Sequence, residues 1–223
     1  MKRRLVLGLI AAACLLVASS VFAQGGYKVE PIGAATSPDL PKTVGDALAP
    51  QGARVVNDQG DVVGEVWLRK AMPLKPVASE STEILYGALG DGAVVGVLHY
   101  PGPATDFRGQ PLKPGFYVLR HALIPQDGAH MGVYPYRDAL LLSPAAADTE
   151  IDQDLKFPEL VKLGRLASGT AHPAFLVMAP VSGDTFPAIL KDDQGHWNLQ
   201  LKVQGESGDL PIAITVVGKW EGA

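Results

Sequence analysis

FRGQPLKPGFYVLRHALIPQDGAHMGVYPYRDALLLS, residues 107–143, is the stretch whose reading decides the fold. Arg108-Gly109-Gln110-Pro111 is turn-like, and Lys113-Pro114-Gly115-Phe116 sets Pro and Gly where a type II turn wants them, since Pro presets φ and Gly accepts a positive φ. Phe116 to Ile124 then reads as a long strand, Pro125 to Met131 as a loop, and Tyr134 to Ser143 as a segment holding a second strand that stops at Pro144. Two strands joined by a polar, glycine-containing loop describe an antiparallel pair, and the rest of the chain repeats that grammar.

Upstream, Arg54 to Asn57 and Val62 to Lys70 flank the turn residues Asp58-Gln59-Gly60-Asp61. In the return strand Val62, Gly64, Val66 and Leu68 share one face, and Glu65, Trp67 and Arg69 share the other, which places one side near solvent. Glu83 to Leu89 and Ala93 to Tyr100 are expected as strands about Gly90-Asp91-Gly92. Downstream, Pro158 to Ser168 predicts the one convincing helix: Pro158 suits a first helical turn, Leu160, Val161, Leu163 and Leu166 make a partial 3.6-residue stripe, and Gly169 is a natural stop. The last third returns to strands at Ala174 to Val181, Phe186 to Lys191, His196 to Val203 and Ile212 to Trp220. Within these, Trp197, Leu199, Leu201 and Val203 alternate with His196, Asn198, Gln200 and Lys202. About eight to ten short strands and one helix, with no βαβ alternation, predict a mostly β fold: an antiparallel β-sandwich of jelly-roll type with one covering helix, or alternatively an open β-barrel.

The start of the chain reads as an export signal over residues 1–23. Lys2, Arg3 and Arg4 precede the apolar run Leu5 to Val17, and Val21-Phe22-Ala23 supplies small residues before Gln24. The run is short for a membrane-spanning helix, which needs about 20 apolar residues. Lipid anchoring at Cys14 is disfavoured because Leu15-Leu16-Val17 continues the hydrophobic core of the signal. Residues 24–52, rich in Gly, Pro, Ala and Ser, are expected to be an irregular lead-in, and residues 53–223 a single domain. Cleavage after Ala23 would leave 223 − 23 = 200 residues without cysteine in a periplasmic or extracellular setting, so stability would rest on packing without a disulfide. It would also lower Lys plus Arg from 19 to 16 against 23 acids, a charge of 16 − 23 = −7. An acidic chain with no basic cluster is a poor ligand for nucleic acid, and nothing after the signal calls for membrane insertion.

Familiar catalytic signatures are missing: there is no glycine-rich phosphate loop, no G-x-S-x-G elbow, no H-E-x-x-H and no paired-cysteine metal site. Chemistry-bearing residues concentrate instead at His121, Asp127, His130, Met131, Tyr134, Tyr136, Arg137 and Asp138. His130 stands in a loop between Gly128 and Gly132, where side chains are displayed, and Tyr134-Pro135-Tyr136, with Trp67 or Tyr100, offers a flat platform for a sugar ring or a proline-rich peptide. The first expectation is therefore a non-enzymatic exported module that binds a protein, carbohydrate or small molecule through His130, Tyr134, Tyr136 and Arg137. A second is a copper or zinc protein in which His121 and His130 ligate the metal, beside the Met131 thioether or the distant His99. Against it, His121 alternates with Tyr117, Leu119 and Leu123, a face where a hydrogen-bonded core histidine is the commoner occupant. A third, ranked last because no nucleophile accompanies it, is a hydrolase using His130 with Asp127 or Asp138 as an acid–base pair.

Residues 106–109, Leu112-Lys113-Pro114-Gly115-Phe116-Tyr117-Val118-Leu119, residues 126–132 and Tyr136-Arg137-Asp138 together resemble a group of uncharacterised exported bacterial proteins with an L-x-P-G-x-Y-x-L strand and a Q-D-G-x-H-M-G loop. The closing G-K-W-E-G also looks like their terminal strand. The resemblance covers about half of the processed chain. It implies a β-sandwich fold and no established activity, so it assigns no residue a role.

Overall fold

The computed structural model describes residues 26–77, 81–128, 130, 134–206 and 208–220. Residues 1–23 with Cys14, and Met131 in the histidine loop, lie outside the described residues.

Ten strands form one antiparallel sheet that curls until its ends nearly meet. They are β1 (Tyr27–Ile32), β2 (Gly52–Asn57), β3 (Val62–Leu68), β4 (Val94–Tyr100), β7 (Gly115–Leu123), β8 (Asp138–Pro144), β9 (Phe175–Ala179), β10 (Ala188–Lys191), β11 (Trp197–Val203) and β12 (Leu210–Val217). The short strands β5 (Ala104–Thr105) and β6 (Pro111–Leu112) pair as a separate hairpin. The sheet order is β1-β2-β3-β4-β7-β8-β9-β12-β11-β10. The last three strands thus form a meander that runs backwards and seats β12 against β9. Of the two architectures expected, the continuous sheet takes the barrel form. Among the described residues no ladder joins β1 to β10; there the Tyr27 ring meets Trp197 edge-on at 5.1 Å.

Alternation fixes which side of each strand faces in. Val66 and Leu68, Tyr117 and Leu119, Leu140 and Leu142, Leu199 and Leu201, and Ile212 and Ile214 belong to one buried cluster that fills the lumen. A bulge at Val94–Gly96 lets both Val95 and Leu98 point inward from β4. Gly96 is needed there, because a Cβ would sit 2.3 Å from the Trp67 carbonyl oxygen. Each fully buried leucine contributes about 1.5–3 kcal/mol relative to exposure.

Two expectations are corrected. Residues 24–52 are not wholly irregular, since Tyr27–Ile32 is a full barrel strand paired with β2 from Tyr27↔Asn57 to Ile32↔Gly52. Its alternation is short and interrupted by Pro31, a residue tolerated on an edge strand, so it reads weakly in sequence. Glu83 to Leu89 is not a strand. It enters one mouth of the barrel as a plug ending in a 3₁₀ turn, Gly87–Leu89, with Tyr86 and Leu89 buried among the lumen residues. Tyr86 and Leu89 are buried because the segment enters the barrel mouth, and the Leu85 and Tyr86 N–H groups go to the Asp138 carboxylate rather than to a ladder.

The outer face is covered in two places. Helix α1 (Lys42–Gly45) and the lead-in bring Leu40, Val44 and Leu48 onto Trp67, Val97 and Val118. Helix α2 (Phe157–Ser168) buries Leu160 against Ala122 and Leu141. It starts where Lys156 N–H donates to Glu159 Oε2 at 3.0 Å, a reciprocal first-turn contact. The connection before α2 is tied to the wall by Arg120, which reaches both Asp148 oxygens, at 2.8 and 2.7 Å, and the carbonyls of Gly92, Glu150 and Gln153.

Candidate functional site

The residues singled out in the sequence separate into three environments. His121 ends the inward row Tyr117, Leu119, His121 and is 1 % exposed. Its Nε2 lies 2.9 Å from Asp138 Oδ1 and its Nδ1 3.0 Å from the Gly90 carbonyl. Asp138 also accepts the Leu85 and Tyr86 N–H groups at 2.6 and 3.0 Å. His121 and Asp138 therefore pin the plug into the barrel mouth. Both partners of the ring are acceptors, so a proton is needed on Nδ1 and another between Nε2 and Oδ1, and neither nitrogen offers a lone pair to a metal.

His130 lies on the other side of the wall. It lines a small apolar pocket of about 60 Å³ with Ala122, Leu141 and Phe175, and Arg108 and His172 stand in the same lining. Its Nδ1 is 2.5 Å from Asp127 Oδ1. Ala122 and Leu141 project outward, whereas His121 projects into the lumen, so the structure does not bring the two expected metal ligands together. Among the described residues no three His, Cys, Asp or Glu side chains cluster as a metal site. The expected acid–base pairing of His130 with Asp127 is present as a hydrogen bond, while Asp138 is committed to His121. Arg137 is also committed: its Nε donates to the Ile124 carbonyl at 3.1 Å and its backbone N–H to the Glu83 carbonyl at 2.8 Å, which fastens the plug to the entry of β8.

Tyr134 and Tyr136 occupy the third environment, a cleft of about 600 Å³ on the outer face of β10 and β11. Pro135 lies between them, Asn198, Gln200 and Asp192 contribute its polar lining, and Lys191 and Asp193 stand beside these. The Tyr134 ring contacts Phe107 edge-on at 5.6 Å and Tyr136 at 5.9 Å. Burial, reinforced by the charge on Asp192, pushes the Tyr134 phenol up to about 12 despite a hydrogen bond with Thr215. The phenol thus stays protonated.

The polar lining is held rigidly. Ser182 N–H donates to Gln200 Oε1 at 2.5 Å and Gln200 Nε2 donates back to the Ser182 carbonyl at 2.9 Å. Thr215 Oγ1 donates to Asn198 Oδ1 at 2.7 Å, and Asn198 Nδ2 donates to Asp192 Oδ2 at 3.2 Å. Each amide so keeps one N–H and one lone pair unused within these pairings. Burial alone would raise the Asp192 carboxyl, but hydrogen bonds from the His196 backbone and Asn198, with the nearby His196 ring, hold it below the usual range.

Gln200 and Asn198 were legible only as the polar side of an alternating strand. Nothing in the sequence set them beside Tyr134, because the meander β10-β11-β12 folds back on β9. No protein-family model, curated protein or solved structure matches the chain.

Proposed function

We propose that this chain is an exported binding module that holds a neutral saccharide in the cleft beneath Tyr134 and Tyr136. The observation that carries the reading is the pairing of two phenol rings with a fixed amide row, Asn198 and Gln200, in one concavity of about 600 Å³. Sugars present a flat C–H face to an aromatic ring and hydroxyls to rigid donors and acceptors, and held amides meet them at small entropic cost. Lys191 stands against Asp192 and Asp193 in the lining, so no excess positive charge selects an anion. Export rests on the charged start, apolar run and Val21-Phe22-Ala23 of the sequence.

A saccharide array probed with the processed chain, followed by calorimetric titration of the retained sugars, tests the reading. Retention is expected, with Tyr136→Ala weakening binding about 10-fold. Retention of no saccharide, or undiminished affinity in Tyr136→Ala, overturns it; capture of proline-rich peptides instead would assign the rings to a different ligand. Secretion is checked separately by the mass of the exported protein, which is expected to begin at Gln24.

A further inference from the structure

A second concavity, of about 510 Å³, lies on the outer face of β2, β3, β4 and β7 beneath the lead-in. Strand register lines up one side chain from each of five strands: Glu30, Arg54, Glu65, His99 and Phe116 are directly opposed in succession, and the last four line the concavity. The row forms a relay. Arg54 donates from Nε at 2.8 Å and from Nη2 at 2.6 Å to Glu65 Oε1, leaving Oε2 to meet His99 Nδ1 at 2.9 Å. The imidazole is stacked on Phe116 with ring centroids 4.3 Å apart and planes 19° apart. A carboxylate on one ring nitrogen and an aromatic face beneath the ring fix both its tautomer and its tilt, with Nδ1–H donating and the lone pair on Nε2.

No protein group bonds Nε2 among the described residues, and among those residues no buried side-chain nitrogen or oxygen lacks a partner. Nε2 is therefore open to the pocket. Burial alone would raise the Glu65 carboxyl, but the hydrogen bonds from His99 and Arg54 and their charges hold it below the usual range, so it stays ionised. Trp67, whose Nε1 donates to the Gly33 carbonyl at 2.8 Å, and Ile32 add apolar walls, and Thr36 and Ser37 add hydroxyls.

We propose that this pocket is a hydrolytic site for small uncharged carboxylic esters, with His99 as general base and Glu65 as its positioning residue. Nε2 takes a proton from water as the water oxygen bonds to the acyl carbon. The bond from that carbon to the leaving oxygen then breaks, and the imidazolium returns the proton to the departing alkoxide, so ester and water give acid and alcohol. Charge sets the substrate class. Glu65 offsets Arg54, Lys28 pairs with Glu30 at 2.8 Å, and Asp39 is the remaining charge in the lining, so nothing attracts a carboxylate or phosphate. The site is separate from the tyrosine cleft, and either assignment can fail alone.

Hydrolysis of 4-nitrophenyl acetate and of phenyl acetate by the purified full-length protein tests the proposal. Saturable turnover is expected. His99→Asn keeps a donor for Glu65 and is expected to lower kcat about 100-fold, the span of one general base, while His172→Asn changes nothing. Glu65→Gln is expected to lower kcat about 10-fold with KM unchanged and to shift the ¹⁵N tautomer signature of His99, a readout that a merely structural role would not move. Wild-type rates in His99→Asn, an equal loss in His172→Asn, or no turnover above buffer in the wild type overturns it.

Discussion

Two histidine–carboxylate pairs sit on the same barrel wall and do opposite things. His121 with Asp138 faces the lumen, with side chains 1 % and 0 % exposed, and both ring nitrogens are occupied. His99 with Glu65 faces outward, with side chains 24 % and 12 % exposed, and one ring nitrogen is open. The N···O distance is 2.9 Å in each. Chemistry is therefore decided by what covers the second nitrogen, since a sealed ring can only hold structure while an open one can exchange a proton with a guest. Strand alternation alone puts the two on opposite sides of the wall.

The sharpest way to break this contrast is to remove the sealed acid. Asp138→Ala leaves His121 and the Leu85 and Tyr86 N–H groups without their acceptor, and uncompensated burial of one partner costs about 3–5 kcal/mol. Urea unfolding is expected to show that loss, with unfolding cooperative in both proteins. Next in size is Gly92→Ala. Gly92 has φ +84°, its N–H donates to the His121 carbonyl at 2.8 Å, and an added Cβ would lie 2.1 Å from the Leu155 carbonyl oxygen. A loss of about 1–3 kcal/mol is expected in the same assay.

The open pair should respond far less. Glu65→Gln is expected to cost under about 1 kcal/mol at neutral pH, because a partly exposed ion pair gains little. Its pH dependence has a definite sign. The native carboxyl is held below its ordinary value of 4.5, so the stabilisation is complete above that value and is lost as the pH falls through the native value. Wild type and Glu65→Gln should accordingly converge in stability in acid. A change as large as that of Asp138→Ala would erase the distinction between the pairs.

The last effect shows only in strong alkali, on the outer face at Tyr134. Its phenol is raised from 10.0 to about 12, so the native state is favoured fully below 10 and that contribution disappears as the pH rises towards 12. Absorbance titration of tyrosinate should contain a step near 12 that is missing in Tyr134→Phe.

Much of the wall was legible in the sequence, and the reason is local. Val62 to Leu68 and His196 to Val203 reveal their lumen faces by a period of two, although the expected solvent side is largely covered as well, at Trp67, Asn198 and Gln200. The helix declares itself by Pro158, its apolar stripe and Gly169. What depends on register between distant strands was not legible. His121 was readable as a core histidine from its apolar neighbours, but Asp138 reaches it diagonally, because His121 opposes Leu140 and Asp138 opposes Leu123. The Arg54–Glu65 contact was nearer the surface of the text, since the Asp58–Asp61 turn brings the two together. A bulge at Val55/Val56 shifts the count by one, and only β4 adds His99 to the row. The plug was misread for the same reason that it works, as a short apolar run looks alike whether it enters a sheet or a lumen.

The seam between β1 and β10 has a mechanical consequence. Adjacent strands elsewhere in the sheet are laced by backbone hydrogen bonds, whereas among the described residues no ladder closes this seam, and Tyr27 of β1 reaches past β10 to meet Trp197 at the start of β11 edge-on. Pulled from its N-terminus, the chain should yield first along this line, with β1 unzipping from β2 one hydrogen bond at a time while the plugged, helix-braced wall keeps its shape. Trp197 fluorescence would mark the start of that tear.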